Sequence, residues 1–331
     1  MHVGLIGAGR IGVLHARSLK SSALVSRLTI VDADAGRAAA IASALSAGRA
    51  ESPQALFNQG VDAVVVAAAT PAHAELLRMA ARAAVPAFCE KPVALDLATT
   101  DDVIRHVEAA GILVQIGFQR RFDAGYRGAR EAYLSGALGE VHVVRLATHD
   151  PAPPPEAYVA VSGGIWKDLA IHDFDIGAWV LGSRIIEVFA TGQAHLEVFA
   201  RNHDVDAACA TLRFENGAVG ALTATRTDAR GYDVRMELIG LKDSVVVGWD
   251  ALTPLRPVQE SPGRTGYRDF IQRFEAAYRA EIDAFLAAVQ SGGASPCPIA
   301  DARAALTVAV AADRSMREQR PVRVDEFAVT R

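Results

Sequence analysis

Short apolar runs alternate with helical patterns along the first 118 residues, and this alternation restricts the possible folds. The runs occupy residues 3–6, 28–31, 62–69, 86–90 and 112–117. A segment with helical periodicity follows each of the first four runs. Buried strands that alternate with helices are typical of a parallel sheet covered on both faces. We therefore predict an α/β protein whose first domain spans residues 1–118.

The pattern changes after Gly117. A helix is predicted over 124–134 and a strand over 140–150, followed by the proline-rich loop "PAPPPEAY". Asn216–Gly217 lies between two alternating runs, which is a strong signal for a β-hairpin. We predict a second domain over 119–331 with a mostly antiparallel sheet. Two helices, near 270–290 and 300–316, close the chain, and the last can pack back on the first domain.

The composition excludes several classes of protein. With a net charge of −4 and no cluster of lysine and arginine, the chain is expected to bind neither nucleic acid nor membrane. Its longest apolar run, residues 63–69, is too short to cross a bilayer. Three widely spaced cysteines form neither a disulfide framework nor a metal-ligand set. We therefore expect a cytoplasmic protein.

The segment "VGLIGAGRIG" carries three glycines, Gly7, Gly9 and Gly12, between a strand and a helix. Such glycines allow a tight turn, close approach of a pyrophosphate and close helix packing. Asp32 follows 20 residues later, where a carboxylate accepts hydrogen bonds from ribose and repels a 2′-phosphate. The carboxylate therefore favours NAD over NADP, although the nearby Arg37 keeps this preference moderate. The alternative to a cofactor loop is a glycine turn that binds no ligand. The predicted cofactor-binding residues in this part are Gly7, Gly9, Arg10, Ile11, Gly12 and Asp32.

Two further segments follow strands and so lie at the carboxyl edge of the predicted sheet, where ligands bind. In "AATPAHAE", Thr70 is expected to cap a helix with Pro71 in its first turn, and His73 either contacts the cofactor or lies on the helix surface. In "CEKPVALD", Glu90 and Lys91 form a turn that, in isolation, resembles an ordinary surface turn. All five residues belong to the predicted cofactor site.

Residues 167–179, "KDLAIHDFDIGAW", form an apolar helical pattern that also contains ionisable residues. Asp168, His172 and Asp175 are spaced to share one face of a single helix. Because burying ionised groups without partners is costly, the stripe indicates a reactive site or a satisfied polar network at a domain boundary. Imidazole titrates near neutral pH, which suits His172 to general-base chemistry. Asp175 is expected to cap or brace the helix.

Four motifs occur in a diagnostic order, namely "GAGRIG", "EKP", "GFQRRFD" and "GGIWKDLAIHDFD". With them the chain resembles the Gfo/Idh/MocA oxidoreductases along essentially its whole length, and it is most similar to the inositol 2-dehydrogenases among them. The resemblance implies an N-terminal Rossmann domain, a C-terminal α/β domain on an open mixed sheet, and an active site between them. It also implies a catalytic set of Lys91, Asp168 and His172, and a homotetramer formed through the exposed sheet face.

Several polar residues complete the predicted substrate site. By resemblance Tyr232 reaches the substrate, the alternative being packing against a neighbouring strand. Arg121 can touch nicotinamide or polyol, or form surface charge with Arg120. His149 ends a strand, where its ring suits a polyol or a surface position equally. Related enzymes often have arginine in place of His149 and Lys167, which leaves the polyol undecided. The predicted substrate-binding residues are Lys91, Arg121, His149, Asp168, His172 and Tyr232.

These observations predict an NAD-dependent dehydrogenase that oxidises a ring hydroxyl of a cyclic polyol or sugar, with myo-inositol converted to its 2-keto product. His172 takes the hydroxyl proton, hydride passes to NAD, and Lys91 favours the developing alkoxide, so that no metal is expected. Activity on scyllo-inositol, levoglucosan or glucose is the first alternative. The second is a non-catalytic regulator that binds a dinucleotide.

Overall fold

The computed structural model describes residues 1–255 and 266–327. Residues 1–119 with 276–303 form one compact unit, and residues 120–275 with 304–331 form the other. Parts of the predicted second domain, 256–265 and 328–331, lie outside the described residues. The single boundary after residue 118 stays a prediction, while the stretch 276–303 groups with the first unit.

The first unit alternates strands and helices. Its elements are β1 (His2–Ile6), α1 (Arg10–Ser21), β2 (Arg27–Val31), α2 (Ala35–Ala44), β3 (Gly48–Arg49), α3 (Pro53–Phe57), β4 (Ala63–Val66), α4 (Thr70–Arg82), β5 (Ala87–Glu90), α5 (Leu97–Ala110) and β6 (Val114–Gly117). The strands pair in parallel in the order β3–β2–β1–β4–β5–β6. This order confirms the predicted Rossmann-type domain. Only β3 and α3 were not predicted, because such short elements show no periodicity.

Apolar side chains from β1, β2 and β4 form the core of this unit together with part of the chain's penultimate helix. Leu5, Ile30 and Val65 are fully buried in the sheet, and Phe285 and Leu286 are fully buried against them. The strands are apolar on both faces, as expected for a sheet covered on both sides. The stretch 276–303 therefore completes the hydrophobic core of the first unit.

From residue 119 onwards the chain forms a second sheet with helices, although the stretch 276–303 belongs to the first unit. Its elements are a 3₁₀ turn (Gln119–Phe122), α6 (Ala124–Leu134), β7 (Val141–His149), α7 (Glu156–Val159), α8 (Ile165–Asp168), α9 (Ile171–Leu181), β8 (Ile185–Gln193), α10 (Glu197–Arg201), β9 (Ala207–Phe214), β10 (Val219–Thr225), β11 (Asp233–Gly240), β12 (Ser244–Val247), α11 (Phe270–Ser291), α12 (Ile299–Glu318), β13 (Val322–Arg323) and a 3₁₀ turn (Val324–Phe327). Among the described residues, no helix has both the length and the apolar character of a membrane span.

The second sheet is mixed and mostly antiparallel, as predicted. Its order is β12–β11–β7–β10–β9–β8–β13, and β7 and β10 are the parallel pair. The predicted hairpin joins β9 to β10, with Gly217 at a φ of 93°. Helix α9 lies on one sheet face, since a Cβ added at Gly177 would come within 3.4 Å of Leu146 and 3.6 Å of Phe214.

The prediction of one regular helix over 167–179 is wrong. The chain forms two helices, α8 and α9, separated by Leu169 and Ala170. The Ala170 N–H donates to the Ile165 carbonyl, a span one residue longer than in an α-helix, and the His172 N–H donates to Leu169, a span one residue shorter. Asp168 therefore ends one helix and His172 lies in the first turn of the next, so the regular spacing that placed them on one helical face is broken.

Candidate active site

The glycine loop between β1 and α1 has the geometry of a cradle for a phosphate group. Gly7 has a φ of 101°, and a Cβ there would lie 2.4 Å from the Ala67 carbonyl oxygen. A Cβ at Gly12 would lie 2.0 Å from the Gly7 carbonyl oxygen, so only glycine fits. A Cβ at Gly9 would meet nothing within 4 Å, which leaves open space above the loop. The N-terminus of α1 begins at Arg10 and favours an anion there.

Asp32 braces this loop from the end of β2. Its Oδ2 accepts a hydrogen bond from the Ala8 N–H at 2.6 Å, and its Oδ1 accepts one from the Asp34 N–H at 2.8 Å. Arg37 is half-exposed, and its Nε lies 3.7 Å from Asp32 Oδ1. The carboxylate thus stands beside the cradle, where the sequence predicted a group that selects NAD.

The helix after β4 corrects two expectations. Ala69, not Thr70, is the N-cap of α4, and Thr70 and Pro71 form its first turn. His73 is not on the helix surface, because its ring is 1% exposed. Its Nδ1 lies 2.8 Å from the Pro92 carbonyl and its Nε2 lies 2.9 Å from the Ala68 carbonyl. Burial lowers the pKa of His73, and the ring links the end of β4 to the turn that carries Lys91.

Glu90 ends β5 and Lys91 follows it at the carboxyl edge of the parallel sheet. Glu90 is buried, and its Oε1 lies 2.6 Å from Nε2 of His15 in α1. Lys91 is half-buried. The turn is therefore anchored to the helix that follows the glycine loop, through a histidine that the sequence reasoning did not single out.

In the second unit, Asp168 is held through both carboxylate oxygens. The Tyr158 hydroxyl donates to Oδ1 at 2.8 Å, and Arg226 Nη2 donates to Oδ2 at 2.8 Å. Arg226 Nη1 also donates to Asp150 at 3.2 Å. Although burial alone would lower it, the pKa of Arg226 is raised by the carboxylates of Asp168 and Asp150. Burial, and then the Asp168 carboxylate, raise the pKa of Tyr158.

Sequence reasoning missed Tyr158 and Arg226. Tyr158 lies in the short helix α7 after the proline-rich loop, and Arg226 directly follows β10. The prediction of a loop for the whole of "PAPPPEAY" is wrong at its end, because Glu156–Val159 form α7. Only the fold brings Tyr158 and Arg226 to Asp168. An arginine at the end of an apolar strand is the one available signal, because such a residue needs an acidic partner if it is buried.

His172 lies half-buried in the first turn of α9, and its neighbour Asp173 points into the interior. Asp173 is fully buried and accepts hydrogen bonds from Arg120 at 2.6 Å and from the Thr148 hydroxyl at 2.8 Å. Burial raises the pKa of Asp173 despite these partners. A rigid ion pair thus anchors the helical turn that presents His172.

Arg121 forms a second buried pair, so the alternative of surface charge is wrong for both arginines. Its Nε and Nη2 donate to the two oxygens of Asp175 at 2.9 and 2.5 Å. Arg121 also lies over the ring of Trp179, 5.9 Å from its centroid. Asp175 therefore braces α9, as the sequence suggested. The contact of Arg121 with substrate stays a prediction.

His149 ends β7 opposite Asp233 of β11, and Tyr232 directly precedes that strand. His149 Nε2 lies 3.0 Å from the Thr223 hydroxyl, and its Nδ1 lies 3.4 Å from a carboxylate oxygen of Asp233. Tyr232 is 5% exposed and meets the ring of Phe274 edge-on, and burial raises its pKa. Each residue thus has protein partners, and their contact with a polyol stays a prediction.

The chain is similar to known proteins over both of its predicted domains. Residues 1–118 match the family model described as oxidoreductase family, NAD-binding Rossmann fold, and residues 126–246 match the GFO/IDH/MocA C-terminal domain. The chain is 36% identical to the myo-inositol 2-dehydrogenase of Thermotoga maritima, over 98% of this chain and 99% of that one. It is 33% identical to the scyllo-inositol 2-dehydrogenase (NAD(+)) of Bacillus subtilis, over 97% and 95%. The solved scyllo-inositol dehydrogenase from Lactobacillus casei with bound NAD(H) and scyllo-inositol superposes with a TM-score of 0.90 at 25% identity, covering 98% of this chain and 99% of that one.

Proposed function

Because this chain belongs to the Gfo/Idh/MocA oxidoreductase family, we propose that it oxidises a secondary ring hydroxyl of a cyclic polyol with NAD, and that its substrate is myo-inositol. The observation that carries the proposal is likeness over nearly the full length to enzymes named for myo- and scyllo-inositol. The product is the 2-keto compound, scyllo-inosose. The family's predicted catalytic residues, Lys91, Asp168 and His172, are all present in this chain.

The residues around the glycine loop fit a dinucleotide. The open space above Gly9 and the N-terminus of α1 suit a pyrophosphate, and Asp32 suits the hydroxyls of an adenosine ribose. When bound, NAD supplies the acceptor for the hydride that leaves the alcohol carbon. Of the other predicted contacts, His73 serves mainly to hold the turn of Lys91, because both of its ring nitrogens face carbonyl oxygens of the protein.

The proposed proton chemistry belongs to His172, because an imidazole can take a hydroxyl proton near neutral pH. Asp168 is poorly suited to be the base, since Tyr158 and Arg226 already donate to its two oxygens. We assign to Asp168 the orientation of the imidazole or of a substrate hydroxyl. Lys91 contributes positive charge that stabilises the alkoxide as the proton leaves.

A panel of polyols tests this function. Myo-inositol, scyllo-inositol, levoglucosan and glucose are each supplied with NAD, and NADH formation is followed by absorbance. We expect the highest kcat/KM with myo-inositol. Turnover of glucose or levoglucosan without turnover of myo-inositol would contradict the proposed substrate but not the reaction class.

A variant of His172 separates an enzyme from a dinucleotide-binding regulator. His172→Ala is expected to bind NADH with nearly unchanged affinity and to lose about 10²–10⁴-fold in turnover, the usual contribution of a general base. The exposed His195, also in the second unit, provides the matched control in His195→Ala, which should retain activity. Unimpaired turnover in His172→Ala would remove the base from the mechanism.

We further propose a homotetramer in the cytoplasm. The outer face of β9 and β10 exposes mostly small or apolar side chains, among them Thr211, Val219 and Ala221, together with Arg213. An uncovered face of this kind is typical of a subunit contact. Light scattering is expected to give four times the chain mass, and Ala221→Arg is expected to reduce it.

The three free thiols suit a reducing compartment, which fractionation of cells that express the tagged chain would test.

A further inference from the structure

A cluster of three ionisable side chains lies inside the first unit, apart from the residues assigned to the reaction. His15 is in α1, Glu90 ends β5, and Glu281 is in α11. One ligand atom from each lies within 4.8 Å of the other two. Glu281 is fully buried, and neither of its carboxyl oxygens has a hydrogen-bond donor among the described residues. Such a carboxyl group needs an explanation, because buried polar atoms are nearly always satisfied.

The surroundings of Glu281 favour a neutral acid over an anion. The ring of His15 is edge-on to Phe88 and Tyr278, with centroid distances of 5.2 and 6.1 Å, so the cluster has aromatic walls. Burial, and then the charge of Glu90, raise the pKa of Glu281 well above its ordinary value. The other titratable groups near the cluster include Tyr278 itself and Cys89, whose thiol is buried beside Glu90. His73 also lies near enough for Glu90 and Lys91 to act on its pKa.

The geometry does not suit a metal ion. His15 Nε2 and Glu90 Oε1 lie 2.6 Å apart, which is a short hydrogen bond. Two ligands of one tetrahedral ion at about 2.1 Å would lie roughly 3.4 Å apart. The His15–Glu90 pair is therefore too close to provide two ligands of one ion.

We propose that Glu281 is a positioning residue: a buried, neutral carboxylic acid that leaves Glu90 as the only negative charge of the cluster and so keeps the His15–Glu90 hydrogen bond intact. That bond joins α1, which follows the glycine loop, to the turn that carries Lys91. Loss of the Glu281 proton would place a second negative charge near Glu90 and disturb this joint. The role of Lys91 rests on the proposed function, but the protonation of Glu281 does not.

Infrared difference spectra test the protonation directly. The parent protein at neutral pH is expected to show a carboxylic-acid carbonyl band that Glu281→Gln lacks. Glu275→Gln, the same exchange at an exposed position of α11, is the control and should keep the band. Absence of the band from the parent, or stoichiometric metal that Glu281→Gln loses, would overturn the proposal.

The pH dependence of stability tests the same proton independently. Above pH 4.5, the ordinary pKa of a glutamate side chain, the unfolded chain loses a proton that the folded chain keeps, so stability falls as pH rises towards the raised pKa of Glu281 in the folded protein. Relative to Glu281→Gln, the folding equilibrium constant of the parent should fall up to tenfold per pH unit. Failure of Glu281→Gln to fold at neutral pH would mean that the site needs an anion, and the proposal would be wrong.

The positioning role is tested by NADH affinity and by turnover. In the parent, both should decline over the alkaline range in which the infrared band disappears, and in Glu281→Gln this decline should be absent. Identical pH profiles for the two proteins would exclude the positioning role. If neither protein oxidises any polyol, the proposed function fails, while the infrared band and the NADH profile still decide this inference.

Discussion

Replacing Arg226 with methionine tests how Asp168 is held in place. The arginine is 4% exposed at its side chain and Asp168 is 10% exposed, and the closest nitrogen and oxygen atoms are 2.8 Å apart. Methionine fills much of the volume but donates no hydrogen bond. Asp168 would keep the Tyr158 hydroxyl and lose its charged donor. Asp150 would also lose its ion pair with Arg226, but it is partly exposed and can be hydrated instead, so this loss matters less.

The magnitude follows from the burial of the pair. Two unit charges about 4 Å apart attract each other by roughly 4 kcal/mol at an effective dielectric constant near 20. Removing one partner of a buried ion pair costs about 3–5 kcal/mol, because the other charge stays buried. We therefore expect Arg226→Met to lower the free energy of unfolding of the second unit by about 3–5 kcal/mol. A carboxylate displaced by about 1 Å would also lower kcat roughly a hundredfold.

Tryptophan fluorescence in urea measures this loss, because all three tryptophans, Trp166, Trp179 and Trp249, belong to the second unit. Arg184→Met is the matched control. It breaks a 2.6 Å pair with Glu215 that is exposed on both sides, and such pairs contribute about 1 kcal/mol or less.

The double variant Arg226→Met with Asp168→Asn removes both charges and should recover most of the lost stability. If Arg226→Met unfolds at the same urea concentration as the parent, or if the double variant is no more stable than the single one, Asp168 is not held by charge.

Three further substitutions test the cofactor half of the site. Gly12→Ala should abolish NADH binding in fluorescence titrations, because its Cβ would lie 2.0 Å from the Gly7 carbonyl oxygen, and retained affinity would contradict the cradle. Asp32→Ala should raise KM for NAD, since the loop loses the acceptor of the Ala8 N–H. It should also narrow the preference for NAD over NADP, since the carboxylate that repels a 2′-phosphate is gone, and equal rates of the parent with both cofactors would contradict this reasoning. His73→Asn should reduce the fall in Tm between pH 7 and 5.5. Burial lowers the pKa of His73 in the folded protein below 6.5, so the unfolded chain takes up the proton first and stability falls as pH falls. An equal fall in Tm in parent and variant would exclude this linkage.

The parts of the fold that sequence predicts are those with local physical signals. Alternating apolar runs predict the parallel sheet because both of its faces must be covered. Asn216–Gly217 predicts the hairpin because a tight turn requires a positive φ, which Gly217 adopts at 93°. The glycine loop is predictable for two reasons, since Gly7 has a positive φ of 101° and Gly12 has no room for a side chain.

The break between α8 and α9 has no local signal. Leu169 and Ala170 are good helix formers, and both keep right-handed helical φ and ψ angles. Nothing in their sequence predicts the longer hydrogen bond from Ala170 to Ile165. The sequence also gives no sign of the buried ion pairs. Arg120 is 53 residues from Asp173 along the chain, and periodicity carries no information across that distance.

The three aspartates of α8 and α9, Asp168, Asp173 and Asp175, nevertheless have a physical explanation that divides them by function. Asp173 and Asp175 are fully enclosed and each is matched to an arginine of the preceding 3₁₀ turn, so their charges are neutralised inside the unit and fix the helix. Asp168 is different, because its partners come from the loop helix α7 and from the end of β10. Holding one carboxylate with two donors from distant segments requires several parts of the fold to be ordered, which is understandable if the orientation of Asp168 serves the reaction. The position of the partner arginine in the fold therefore separates the two structural aspartates from the one that we assign to the reaction.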